Sequence, residues 1–143
     1  MPSDEEFLGY NQGIIAEFRA NHGVLSQLPF PVLLLTTTGA RTGRPATVPL
    51  GFLVDDSGRV FVVGSKAGAP THPAWFHNAR ANPSVTVELG DQSFQARAVV
   101  TTGEERDRLY GLASKAVSGY SEYEKNTDRI FPVVVLEGVP APA

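Results

Sequence analysis

The stretch Pro31-Val-Leu-Leu-Leu-Thr-Thr-Thr-Gly-Ala-Arg-Thr-Gly-Arg-Pro45, continued by Ala46-Thr-Val-Pro-Leu-Gly-Phe-Leu-Val54, decides the fold class. Residues 31–38 form an apolar run passing into threonines, and residues 46–54 form a second apolar run. Gly39, Gly43 and Pro45 mark the turn between them. A connection this short leaves no room for a crossover helix, so the two strands are expected to pair antiparallel.

Working outward, residues 59–65 follow the Asp55-Asp-Ser-Gly58 turn, with Val60 and Val62 alternating against Phe61 and Val63. Val85, Val87 and Leu89 alternate with Thr86 and Glu88. The Gly90-Asp91 pair then reverses the chain into Phe94, Ala96, Ala98 and Val100, a hairpin. Residues 132–136 are a last apolar strand. Helices are expected between these elements. Ser3 with Glu6 fits a capping box opening a helix over about 4–22, whose stripe is Phe7, Leu8, Ile14, Ile15 and Phe18. Pro73 suits the first turn of a short helix through Trp75 to about Ala81. Thr102 with Glu105 opens another helix, with Leu109, Leu112, Ala113 and Ala116 inward, and Gly119-Tyr-Ser-Glu-Tyr123 reads as helical. About six mostly antiparallel strands with peripheral helices make an α+β protein built on a small barrel.

One such core accounts for all 143 residues as a single domain, 1–143. Hydrophobic residues are 42% and charged residues 19%, an ordinary globular balance. With no Cys there are neither disulfides nor thiolate metal sites, in keeping with a cytoplasmic location. No basic region precedes an apolar stretch at the N-terminus, so no secretory signal is expected, and no apolar run approaches the ~18 residues of a spanning helix. The acidic N-terminal helix would be repelled by anionic lipid; core or lid is the expected role, not membrane association.

The net charge of −3 hides a division. Residues 18–87 carry six cations, Arg19, Arg41, Arg44, Arg59, Lys66 and Arg80, against Asp55 and Asp56, a balance of +4. The other six cations and thirteen anions give −7. A basic middle in an acidic chain fits one anionic ligand, a phosphate or carboxylate, whereas nucleic acid calls for a denser basic footprint.

Three constellations carry possible chemistry. The turn from Thr36 to Arg44 gathers the hydroxyls of Thr38 and Thr42, turn N–H groups and the forked donors of Arg41 and Arg44, which suit phosphate. On spacing alone it reads equally well as a hairpin turn with exposed arginines, and it is not a Walker loop. Ser65-Lys-Ala-Gly-Ala-Pro70 is a side-chain-poor loop ahead of a helix, where backbone can approach a flat ligand. Tyr120 and Tyr123, three apart, share a helical face, with Tyr110 preceding them; phenols donate to carbonyl or nitro oxygens, though such tyrosines also simply cover a core. His22, His72 and His77 show no metal spacing. Ser65 lacks a nucleophile elbow, so hydrolase chemistry is disfavoured.

The order of these pieces resembles the deazaflavin (coenzyme F420)-dependent nitroreductase family of actinobacteria, from residue 18 to residue 136. The matching stretches are Phe18-Arg-Ala-Asn21, Leu33-Leu-Leu-Thr-Thr-Thr-Gly-Ala-Arg-Thr-Gly-Arg-Pro45, Val48-Pro-Leu50, Ser65-Lys-Ala-Gly-Ala-Pro70, His72-Pro-Ala-Trp-Phe-His-Asn78, Arg80-Ala-Asn-Pro83, Thr102-Gly-Glu-Glu-Arg106, and Tyr120 with Tyr123. The resemblance implies a split β-barrel that binds reduced F420 and passes its hydride to nitroaromatic, quinone or activated-alkene acceptors such as coumarin-type lactones. By position, Thr38 and the Arg41-Thr42-Gly-Arg44 turn would hold the cofactor phosphate. Ser65, Lys66, Ala67, Gly68, Ala69 and Pro70 would line the deazaflavin ring, with Trp75 bracing that loop. Tyr120, Tyr123 and Ser65 are the catalytic candidates.

Val117 stands where some members carry another tyrosine, so nitroimidazole reduction does not follow, while cofactor binding is left intact; Phe76 replaces the Tyr more usual beside Trp75. The alternatives are FMN in place of F420, as in related split-barrel oxidases, and a non-catalytic F420 carrier. The expected partner is a small-molecule acceptor, with no nucleic acid, and the chain is expected as monomer or homodimer.

Overall fold

The computed structural model describes residues 4–25, 31–117, 119–125 and 127–142, with only the backbone of residues 4–9 and of Ala67. The expected Ser3–Glu6 capping box and the Phe7 and Leu8 side chains fall outside the described residues. The elements are α1 (Asp4–Ala20), β1 (Val32–Thr38), β2 (Pro45–Gly51), β3 (Leu53–Val54), β4 (Val60–Val63), α2 (Ala74–Ala81), β5 (Ser84–Leu89), β6 (Gln92–Val100), α3 (Gly103–Ala116), α4 (Gly119–Glu124) and β7 (Val133–Glu137). Among the described residues no helix is long and apolar enough to cross a membrane.

The strands form one seven-stranded sheet in the order β2-β1-β5-β6-β7-β4-β3. Every pairing is antiparallel, from Thr38 opposite Pro45 in the first hairpin to Val62 opposite Val134 in the β4–β7 ladder. About six strands become seven because the expected run 46–54 breaks at Phe52. Its first part pairs with β1 and its last two residues with β4, at opposite edges of the sheet. The two edges are therefore consecutive in sequence, and the sheet curls until a single buried residue, Phe52, spans the open seam. This is a split barrel.

Alternation sorts side chains between two cores. Val60, Val62, Val134 and Leu136 point into the barrel with Leu33, Leu35, Val85 and Val87, and α2 adds Trp75, Phe76 and Ala79 to the same cluster. Phe61, Val63, Val133 and Val135 point outward against Leu109, Tyr110 and Ala113 of α3 and against Phe131. Being covered on both faces explains why β4 and most of β7 are continuous apolar runs. Each fully buried Phe or Leu, such as Phe61 or Leu109, contributes about 1.5–3 kcal/mol.

Helix α1 is held at its C-terminal end. Phe18 is buried, and the Arg19 guanidinium donates through Nε (3.1 Å) and Nη2 (2.8 Å) to the Glu88 carboxylate. Gly23, at φ 89°, lies so close to Gly90 that a Cβ would stand 2.7 Å from its Cα. Two details differ from the sequence reading of α3. Thr102 is the N-cap residue but its hydroxyl makes no capping bond, and the Glu105 carboxylate reaches to Arg59 at 3.3 Å. Ala116 is exposed, and Tyr110 takes the inner face with Leu109 and Ala113. The β3–β4 hairpin closes on Asp55, whose buried carboxylate accepts from the N–H groups of Ser57 (2.9 Å) and Arg59 (2.8 Å) and from Arg59 Nε (2.8 Å).

Candidate active site

The seam of the barrel opens into a cavity of about 610 Å³. One wall is the chain that crosses the seam, residues 48–53, with Val32 behind it. Facing it are Val63, Ser65 and Lys66 at and beyond the end of β4, Pro73, Ala74 and Trp75 at the start of α2, and Val117, Gly119, Tyr120 and Tyr123 around α4. Asn11 of α1 completes the rim. The walls are largely apolar, with Asn11, Ser65, Lys66, Tyr120 and Tyr123 as the polar groups, as in pockets for flat organic ligands.

The loop after β4 is tightly specified. Ser65 is buried and leads into a single 3-10 turn, Lys66–Gly68, in which Lys66 holds φ 45°, unusual for a side-chain-bearing residue. Gly68 has φ 79°, and a Cβ there would stand 2.8 Å from the Tyr123 carbonyl oxygen, so only glycine lets the loop meet α4. From behind, Arg129 donates to the carbonyl oxygens of Ala69 (Nε, 3.0 Å), Gly64 (Nη1, 2.9 Å) and Ser65 (Nη2, 2.7 Å). Its Nη1 also lies 2.7 Å from His72 Nδ1. A guanidinium only donates, so His72 Nδ1 is the acceptor and its proton is on Nε2. Burial, and then the charge of Arg129, hold the His72 imidazole below its ordinary value.

The two tyrosines share one face of α4, as their spacing predicts. That helix is anchored to α3 by the Tyr110 hydroxyl, which donates to the Glu124 carboxylate and lies 3.5 Å from the Tyr120 carbonyl oxygen. Burial, and then the bond to Glu124, push the Tyr110 phenol up to about 12. Burial, and then Tyr123 beside it, also raise the Tyr120 phenol above its ordinary value of 10.0. Tyr120 thus faces the cavity as a neutral phenol that keeps its proton at neutral pH.

The turn of residues 39–44 stands apart from the cavity. It is closed by Gly39 N–H to the Arg44 carbonyl (2.8 Å), Gly43 N–H to the Gly39 carbonyl (2.9 Å) and Arg44 N–H to Thr42 Oγ1 (3.2 Å). Asn78 of α2 pins it: Oδ1 accepts the Ala40 N–H at 2.9 Å and Nδ2 donates to Thr37 Oγ1 at 3.1 Å. Arg41 and Arg44 are exposed and make no ion pair with described residues. At ~3.3 Å per residue, the strand from Pro45 to Val48 separates this turn from the cavity wall by about 10 Å.

Of the residues singled out from sequence, Ser65, Lys66, Trp75, Tyr120 and Tyr123 meet around one cavity. Thr38, Arg41, Thr42 and Arg44 do not line it. Gly68 and Ala69 are buried behind the loop, Pro70 is exposed, and the Ala67 side chain lies outside the described residues. The hydrogen bonds that brace the loop come from Arg129, while Trp75 packs edge-on against Phe76, ring centroids 6.3 Å apart. Sequence reasoning misses Arg129, Asn78 and Asn11 as site residues. Asn78 stands in the Pro-Ala-Trp-Phe-His-Asn run, which singles it out only as part of a motif. Arg129 lies in a loop with no periodicity and gives no signal.

Residues 13–138 match the family model of the F420H(2)-dependent quinone reductase. The chain belongs to the F420H(2)-dependent quinone reductase family. Membership makes it an oxidoreductase that draws on reduced coenzyme F420. An F420H(2)-dependent quinone reductase of Mycobacterium tuberculosis is 38% identical over 109 residues, 74% of this chain and 72% of that protein. A solved F420-H2 dependent reductase shares 41% identity and a TM-score of 0.67, over 80% of this chain and 100% of the other. A second solved chain, described as a domain-swapped dimer, shares 36% identity and a TM-score of 0.68, over 94% of this chain and all of the other.

The residues present fit the family cofactor. A tricyclic ring needs an apolar slot of a few hundred Å³, which the seam cavity supplies. For a phosphate-bearing side chain, Arg41 and Arg44 are exposed forked cations with no ion pair among the described residues.

Proposed function

We propose that this reductase passes a hydride from reduced F420 to quinones, and also to nitroaromatic and activated-alkene acceptors of the coumarin-lactone type, in the cavity at the barrel seam. The observation that carries this reading is the largely apolar cavity lined also by Ser65, Lys66, Tyr120 and Tyr123. When bound, the cofactor supplies the hydride. Arg41 and Arg44, with Thr38 and Thr42 beside them, hold its phosphate by charge-assisted hydrogen bonds. Ser65 and Lys66 lie along the ring and fix its plane, Gly68 and Ala69 support them from behind, and Trp75 closes the floor.

Residues 48–53 exclude water from the reacting face, which strengthens each polar contact inside. The hydroxyls of Tyr120 and Tyr123 donate hydrogen bonds to the acceptor oxygen. As that oxygen gains electron density it needs a proton, and the Tyr120 phenol, protonated at neutral pH, is placed to provide it. Val117 leaves the cavity side near α4 without a further phenol, which favours flat, apolar quinones over acceptors that need several donors.

Mixing the protein with reduced F420 and a panel of quinones, nitroaromatics and coumarins under anaerobic conditions should restore the absorbance of oxidised cofactor. Tight F420 binding with no turnover on any acceptor would identify a carrier, and tighter binding of FMN than of F420 would identify a flavin protein. Assembly as a homodimer is supported by the relative described as a domain-swapped dimer. A cytoplasmic setting is supported by the absence of cysteine, and sedimentation and fractionation test the two points.

A further inference from the structure

Arg129 makes four hydrogen bonds and, among the described residues, no ion pair. Its guanidinium lies over the Phe131 ring at 4.8 Å, partly out of solvent. A cation set behind a site wall with uncharged partners alone does two things. First, it draws the carbonyl oxygens of Gly64, Ser65 and Ala69 to one point, so these three cannot face the cavity as acceptors. Second, it leaves its positive charge uncompensated behind the wall formed by Ser65 and Lys66, favouring an electron-rich ring edge there.

His72 extends the device. Because its Nδ1 accepts from Arg129, the imidazole must remain neutral for the bond to exist. The groups around it all disfavour a second proton: Arg129 itself, His77 and Arg80 of α2, with the Phe76 ring edge-on at 5.0 Å. No carboxylate ion-pairs with His72 among the described residues.

We infer that Arg129 is a positioning residue for cofactor binding: its fork, completed by neutral His72, holds residues 64–69 in the shape that receives the deazaflavin ring of F420. This rests on the reading that the loop faces the cofactor ring. Lysine cannot replace it, since one ammonium with three donors cannot span four acceptors arranged around a planar fork.

The test compares the full chain with Arg129→Lys and Arg129→Ala. Fluorescence titration of F420 should show affinity weakened roughly tenfold to hundredfold in both variants, as expected for a misplaced positioning element. Added guanidinium ion should restore much of the loss in Arg129→Ala and none in Arg129→Lys. NMR should find His72 as the Nε2–H tautomer in the wild type and titrating closer to an ordinary histidine in Arg129→Lys. Wild-type F420 affinity in Arg129→Lys, or an Nδ1–H tautomer at His72, would overturn the inference. If Arg129→Ala fails to fold, Arg129→Lys decides alone. If the wild type has no affinity for F420, the functional reading falls, and hydrogen exchange at residues 64–69, faster in Arg129→Lys or unchanged, decides whether the clamp exists.

Discussion

The side-chain amide of Asn78 accepts the backbone N–H of Ala40 at 2.9 Å, tying the turn between β1 and β2 to helix α2. Since α2 also supplies Trp75 to the cavity, one helix is tied to both the β1–β2 turn and the cavity wall. Asn78→Ala removes this bond and the one to the buried Thr37 hydroxyl. It should cost about 1–3 kcal/mol of stability, read by urea denaturation, and should weaken F420 binding as well. Weaker folding with unchanged F420 affinity would separate the turn from the cofactor.

The side chains of Arg41 and Arg44 are exposed and form no ion pair among the described residues. Replacing both with Ala should leave stability within about 0.5 kcal/mol. F420 affinity should fall by about 1.5–3 kcal/mol for each charge-assisted hydrogen bond to the phosphate that the substitution removes. An unchanged dissociation constant by fluorescence titration would remove the two residues from the phosphate site.

Tyr120→Phe keeps the ring and removes the proton. If the phenol serves the acceptor, kcat with a quinone should drop by roughly 10²-fold while F420 affinity holds, and Tyr123→Phe should raise KM more than it lowers kcat. A Tyr120→Phe enzyme with wild-type kcat would assign the proton to solvent.

Asp55 is a stability residue remote from the chemistry. Burial alone would raise its carboxyl, but the hydrogen bonds from Arg59 and from the Ser57 N–H outweigh it and hold the group below its ordinary value of 3.8. A carboxylate depressed in the folded state stabilises the protein above that ordinary value, and the contribution is lost as pH falls through the lower folded value. Asp55→Asn should therefore cost about 2 kcal/mol at neutral pH and flatten the acid limb of stability against pH. Parallel acid limbs in the two proteins would contradict this account.

Much of the barrel is legible because burial leaves a period. The hairpins of β1 with β2 and of β5 with β6 follow from alternation and their turns, and β7 from an unbroken apolar run. The break at Phe52 is invisible, since an aromatic residue there continues the pattern of its neighbours and only the curl of the sheet sends the two sides to different partners. The turn of Glu105 to Arg59, 46 residues away, is likewise invisible to a local pattern. For the site, Ser65, Lys66, Trp75, Tyr120 and Tyr123 are recognisable as pieces, and the fold brings them around one space. Arg129 escapes notice because its partners are 57 to 65 residues away, and a guanidinium in an irregular loop looks solvated until the fold is known.

The place of β7 has a consequence for how the protein is made. The ladders of β2, β1, β5 and β6 form one piece and those of β4 and β3 another, and only β7 hydrogen-bonds to both. A ribosome releases these strands in chain order, so the strand that joins the two pieces, residues 133–137, is the last of the described strands to emerge. The cavity takes Leu50 from one piece and Leu53 and Val63 from the other. The strand that closes the sheet around the cavity thus lines none of it, and it shapes the site only through the strands on either side.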